Sequence, residues 1–207
     1  MAGCYPPCVF RHVALACACL APVWALGCVR PGAEEADETE ETDETSAGES
    51  GEDGEFGTLI DHQQWQVVEA ADDPFPDHRP ELIDCGVAGW LIETDSLGNE
   101  TLEVRTNDCN YLSLVQPSLM ALEQGGLVKL IFYHFDLVAP EPALAHVAIL
   151  VDGQVLWEQE IAIPGDANVF IEEFESPISA EAGSPVVIHL HNHGQNTWAL
   201  QDLLAMP

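Results

Sequence analysis

The chain has 207 residues, 47% of them hydrophobic, enough for one ordinary domain with a core and tails. Arg11, Arg30, Arg79, Arg105 and Lys129 are its only basic residues against 36 acidic ones, a formal net charge of -31. DNA, RNA and anionic lipid surfaces are repelled over most of such a surface, which argues against nucleic-acid binding. The acidity fits cations, cationic partners or a saline medium, and its plainest cause is a solubilising acidic surface.

Arg11 and His12 precede VALACACLAPVWALGC, residues 13–28. A short basic start, an apolar run of about 14 residues and small residues after it follow the plan of a secretory signal peptide. The run is short for a membrane-spanning helix. It ends in Ala25-Leu26-Gly27-Cys28, which resembles the lipobox of bacterial lipoproteins, with Ala25 where that family usually has Leu. The resemblance implies a signal peptide over 1–27, cleavage before Cys28, and a lipid on Cys28 that anchors the chain to a membrane. Val29 does not resemble the Asp that marks inner-membrane retention, so the implied location is the outer membrane or cell surface. Ala14-Leu15-Ala16-Cys17 is a second near-match that leaves an apolar stub behind. An ordinary soluble periplasmic or secreted protein is the alternative.

If Cys4, Cys8, Cys17 and Cys19 leave with the signal and Cys28 takes the lipid, Cys85 and Cys109 remain. An even pair in an oxidising compartment predicts one disulfide. It closes a loop of about 25 residues, worth about 3 kcal/mol. Two buried free thiols are the alternative.

Residues 31–57, PGAEEADETEETDETSAGESGEDGEFG, have no apolar periodicity and many like charges. Such a segment cannot bury enough surface to offset its ordering entropy. Residues 28–57 therefore read as a lipidated Cys and a disordered acidic tether, and 58–207 as the folded domain.

That domain alternates short apolar runs with Gly, Pro, Asn and Asp, the all-β pattern. GWLIET (89–94) and TLEVRT (101–106) flank DSLGNE, a hairpin loop. AHVAILV (145–151) and QVLWEQEIAI (154–163) flank Asp152-Gly153, a strong two-residue hairpin signal. Further strands are expected at 127–135, 168–174, 185–191 and 196–203, and no amphipathic helix longer than one turn, at 117–124. LEQGGLVKLIF (122–132) and AEAGSPVVIHL (180–190) share a Gly-led entry into an apolar strand. Aligning Gly125 with Gly183 pairs Val128, Leu130 and Phe132 with Val186, Ile188 and Leu190 as core-facing sets, since strand faces alternate with period two.

Gly-led strand entry followed by a last strand in HNHGQNTWALQDL resembles the jelly-roll modules of the galactose-binding-like class, over roughly 85–207. The resemblance implies a single antiparallel β-sandwich, jelly-roll-like, in a class that includes sugar-binding modules. It transfers no binding residue, and fold alone does not give function. The layout also resembles acidic, lysine-poor surface lipoproteins of myxobacteria-like Gram-negative bacteria.

PVVIHLHNHGQNTW, residues 185–198, holds the main candidate site. With Val186, Ile188 and Leu190 facing the core, His189 and His191 share the opposite face, about 7 Å apart at the Cα atoms. His193 follows where the strand ends, beside Gly194. His146 also points away from the core set Val147, Ile149 and Val151. Imidazoles suit zinc and copper, so His189, His191, His193 and His146 form the predicted metal cluster. His134 shares parity with Phe132 and falls on the core side. A wet sandwich rim and a pH-sensitive charge are the competing readings of the same histidines.

Trp90, Trp157 and Trp198 can stack on sugars if exposed, but strand aromatics more often belong to the core. ADDPFPDH (71–78) and DSLGNE (95–100) offer oxygen ligands for calcium, but without an EF-hand pattern they read as solvated loops. Glu172, Glu173 and Glu175 lack any sign of an acid and base held at glycosidase separation. No G-x-S-x-G elbow, phosphate-cradling Gly loop or H-E-x-x-H helix is present. The reading is a non-catalytic envelope lipoprotein displaying a β-sandwich binding module. Its ligand is a transition metal, with carbohydrate or another envelope protein as the alternative partner. A copper- or zinc-dependent secreted enzyme is the rival from another class.

Overall fold

Two antiparallel sheets, stacked face to face, build the domain. The computed structural model describes residues 54–206. The signal peptide, Cys28 and most of the acidic tether lie outside the described residues.

In chain order the strands are β1 (Gly57–Thr58), β2 (Gln66–Val67), β3 (Trp90–Thr94), β4 (Glu100–Arg105), β5 (Tyr111–Pro117) and β6 (Leu127–His134). They continue with β7 (Ala143–Val151), β8 (Gln154–Ile163), β9 (Asn168–Glu175), β10 (Pro185–His191) and β11 (Thr197–Ala205). The first sheet runs β3-β4-β11-β6-β9, with β1 also paired to β11; the second runs β2-β5-β10-β7-β8. This is the expected all-β, jelly-roll-like sandwich.

The Gly-led echo is present in the backbone. Gly125 and Gly183 take φ of 84° and 87°, a region that favours glycine, at the entries to β6 and β10. Val128, Leu130 and Phe132 from one sheet then meet Val186, Ile188 and Leu190 from the other in a common core. Asp152 and Gly153 both take positive φ, 50° and 73°, and close the β7–β8 hairpin as expected.

Two details differ from expectation. Strand β5, YLSLVQP, was not expected; buried on both faces, it lacks the alternation that marks a half-buried strand. No helical turn forms at 117–124. The one short 3-10 turn among the described residues is His62–Gln64, where the Asp61 carboxylate accepts the Gln63 backbone N–H at 2.9 Å.

Cys85 and Cys109 form the expected disulfide. It ties down the connection 68–89, which joins β2 to β3. The Val68 N–H donates to the Ser113 carbonyl at 2.9 Å. The Asn110 side chain both donates to the Leu82 carbonyl and accepts from the Asp84 N–H. The connection lies on β5, over the outer face of the second sheet.

Candidate metal centre

The outer face of the second sheet is set by strand parity. Val186, Ile188 and Leu190 face the core, so His189 and His191 project outward with Tyr111 and Ser113 of β5 and His146 and Ala148 of β7. Register makes two rows across the strands. One reads Tyr111, His191, His146, Glu160; the next reads Ser113, His189, Ala148, Glu158. Side chains in such rows stand close enough to share a ligand.

The connection 68–89 turns this face into a site. Its Asp73 carboxylate accepts the Tyr111 O–H at 2.8 Å and the Phe75 backbone N–H at 3.0 Å, and pairs with Arg79. Burial alone would raise the Asp73 carboxyl, but these hydrogen bonds and the Arg79 charge outweigh it and hold it below the usual carboxylate range. The latch seats Phe75 against His189, ring centroids 4.6 Å apart, and brings His78 to 4.7 Å from His146.

His78, His146 and His189 each offer one ligand atom, and these atoms all lie within 4.8 Å of one another. Nitrogens around a tetrahedral ion at about 2.1 Å stand about 3.4 Å apart. His78 Nδ1 and His146 Nδ1 are already at 3.1 Å, and side-chain rotation of the exposed His78 can close the set. His146 Nε2 meets the Glu158 carboxylate at 2.6 Å. Donation of Nε2–H to Glu158 leaves Nδ1 as a lone pair, the carboxylate–histidine arrangement that orients metal ligands. His189 Nδ1 lies 2.9 Å from Ser113 Oγ. Its Nε2 is buried with no hydrogen-bond partner, and the residue as a whole is 0% exposed. An unpaired buried imidazole nitrogen is costly unless something fills the position.

Burial, and next the neighbouring His146, push the His189 pKa down to about 3. Burial, then His193, push that of His191 down to about 4. Both rings are therefore neutral, the form that ligates a metal, well below neutral pH. The described cysteines are joined in the disulfide, and the ring nitrogens with flanking carboxylates suit zinc or copper.

Of the predicted cluster, the structure brings His146 and His189 together and adds His78 to them, with His191 and His193 standing beside this group. His191 stands beside His78, rings 6.2 Å apart, and His193 stands beside His191 at 4.5 Å. His189 is buried rather than open, because Phe75 and Tyr111 cover it. His78 lies in the segment ADDPFPDH, which offers oxygen ligands for calcium but reads foremost as a solvated loop. Asp73 is instead consumed by the latch, and the Asp95 carboxylate by the Leu97 and Asn99 amides of its own loop. His134 lies on the core side as expected, 4.8 Å from the Trp198 ring. Trp157 and Trp198 are buried and Trp90 packs on the core, so none of the three offers a sugar platform.

No protein-family model matches the chain, and no curated protein matches it. Among solved structures, the N-terminal cellulose-binding domain of Cellulomonas fimi β-1,4-glucanase C is 12% identical, with 60% of this chain and 92% of that chain covered and a TM-score of 0.37. The C-terminal CBM6 of LamC, a marine laminarinase from Zobellia galactanivorans, is 13% identical, with coverage of 69% and 99% and a TM-score of 0.34. The CBM51 from Clostridium perfringens GH95, solved with methyl-galactose, is 7% identical, with coverage of 71% and 95% and a TM-score of 0.32. Superpositions at these scores decide nothing about ligand or activity.

Proposed function

We propose that the chain is an exported, lipid-anchored envelope protein whose sandwich binds a divalent transition-metal ion, Zn(II) or Cu(II), through His78, His146 and His189. The observation that carries the metal reading is the fully buried, unpartnered His189 Nε2 in a group of three imidazoles. An ion would supply the partner that His189 Nε2 lacks. The site is a binding site, and no catalytic step is assigned to it.

Calorimetric titration of the mature full-length chain with Zn(II) and with Cu(II) tests this. One tight equivalent, lost in both His78→Ala and His146→Ala, is the expected result. Weak binding, or binding unchanged in these variants, overturns it. The anchor has its own test: mass spectrometry of the mature N-terminus should find an acylated Cys28, and an unmodified terminus at another residue removes that half of the proposal.

Carbohydrate binding is a second reading, favoured by the outer face of the first sheet. Tyr133 pairs with Val169 there and Ile131 with Ile171, and both β9 residues are well exposed. Phe135 stands edge-on to Tyr133 at 6.0 Å. Glu103 and Glu93 lie near enough to raise the Tyr133 hydroxyl further after burial. An aromatic ring among polar planar groups suits a sugar ring. Affinity electrophoresis against soluble glucans and galactans should show retardation lost in Tyr133→Ala; no retardation of the wild type removes this reading.

A further inference from the structure

Five imidazoles form a continuous series from the exposed His193 and His78 to the buried His146 and His189. His193 is exposed and lies 4.5 Å, ring centre to ring centre, from His191. His191 is half-buried and 6.2 Å from His78. His78 is 4.7 Å from His146, which is 5.1 Å from the fully buried His189. One open trough is lined by Asp77, His78, His146, Glu160, His191 and His193, so the outer pair and two of the three inner ligands share it. His189, with its buried and unpaired Nε2, lies next to His146, ring centroids 5.1 Å apart.

This arrangement differs from a structural metal site, which is closed on all sides by its ligands. An ion held by His78, His146 and His189 keeps one side facing the trough. On that side stand two more imidazoles and two carboxylates, Asp77 and Glu160. A hydrated divalent cation arriving at an acidic surface is drawn toward such a trough. It can exchange water for His193 and His191 before it reaches the deeper ligands.

We infer that His191 and His193 form an outer, weaker transition-metal station through which ions load into and leave the adjoining His78–His146–His189 site, of which His146 and His189 are the buried ligands. The inference rests on the metal reading above and assigns that site a role in metal exchange rather than in permanent structural binding. The partner it implies is a donor or acceptor of labile Zn(II) or Cu(II), not a macromolecule of fixed shape.

His193→Ala is the test, because His193 is exposed at the surface and its loss leaves the buried ligands in place. Stopped-flow mixing of the mature full-length chain with Zn(II) measures loading, and mixing the loaded protein with a chelator measures release. Loading and release should both slow by about tenfold while the affinity of the tight equivalent stays within about twofold, since raising the barrier on the path slows both directions alike and leaves the end states unchanged. A second, weaker equivalent seen in wild type should disappear. Loading and release at wild-type rates overturn the inference while leaving the metal site standing. A wild-type protein that takes up no ion overturns the site and the inference together. A variant whose tight equivalent is also lost overturns the division into two stations, because it makes His193 a ligand of the inner ion.

Discussion

His191 stands directly opposite His146 in the β7–β10 ladder, and yet His146 spends its ring on His78, Glu158 and His189. The direct cross-strand neighbour is displaced from the cluster by a histidine from a loop. The reason is the latch at Asp73, which lays the connection 68–89 over the second sheet and delivers His78 from above. Four consequences can be measured.

The Glu158 carboxylate meets His146 Nε2 at 2.6 Å and would orient that ring for the proposed ion. Replacing it by Gln keeps size and hydrogen bonding but removes the charge that raises ligand basicity. Zn(II) affinity should fall by about 10- to 100-fold, the usual effect of losing such a partner. Competition against a chromophoric chelator reads this directly, and an unchanged affinity shows that Glu158 plays no part in the site.

The latch should matter for both folding and binding. Tyr111→Phe removes one donor from the buried Asp73 carboxylate. The loss should cost about 1–3 kcal/mol, as expected for a buried acceptor left short of a partner. Urea unfolding of the metal-free protein measures it. Metal affinity should fall as well, since His78 rides on the same segment. A variant with lower stability and wild-type metal affinity separates the latch from the site.

Acid should destabilise the metal-free protein in a defined order. The His189 pKa is about 3 in the fold, below the ordinary histidine value. Between about 6.5 and 3 the unfolded chain therefore binds a proton that the native ring refuses, and stability falls as pH falls across that window. Asp73, whose folded pKa is depressed, contributes stability above its unfolded value of about 3.9 and loses it as pH falls through the lower folded value. Unfolding midpoints in chelator at pH 7, 5.5 and 4.5 should decline steadily, and His189→Gln should flatten the decline. Midpoints constant from pH 7 to 4.5 contradict the burial of a neutral His189.

The disulfide should support the site at a distance. Cys85→Ser with Cys109→Ser frees the far end of the connection that carries His78. Stability should drop by about 3 kcal/mol on loop-entropy grounds. Zn(II) affinity should drop too, because ordering the loop then becomes part of binding. Thermal unfolding and calorimetry on the same preparation give both numbers, and an affinity equal to wild type shows that Asp73 alone holds His78 in place.

The strands were legible wherever one face is buried and the other is wet. Val128, Leu130 and Phe132, and Val186, Ile188 and Leu190, announce their faces by alternation, and Gly125 and Gly183 announce their entries. Strand β5 was not legible, because Tyr111 to Leu114 are buried on both faces and, unlike the equally buried β7 with its Asp152-Gly153 turn, no two-residue hairpin signal marks its end. The short pieces β1 and β2, two residues each, carry too little pattern to see.

Within the site, sequence alone placed His146, His189 and His191 on a common outward face, because parity is local and each strand carries its own. It also singled out Cys85 and Cys109 as the pair to be joined. Only the tertiary structure decided that this outward face is covered, that His189 is buried to 0% exposure, and that His78 comes to lie beside His146 and His189. Periodicity reports which side of a strand a residue takes. It carries no information about what a long connection will lay on top of that side. That outcome was fixed by contacts between the connection and β5 or the segment just before it, Asp73 with Tyr111 and Cys85 with Cys109, whose partners are far apart in sequence.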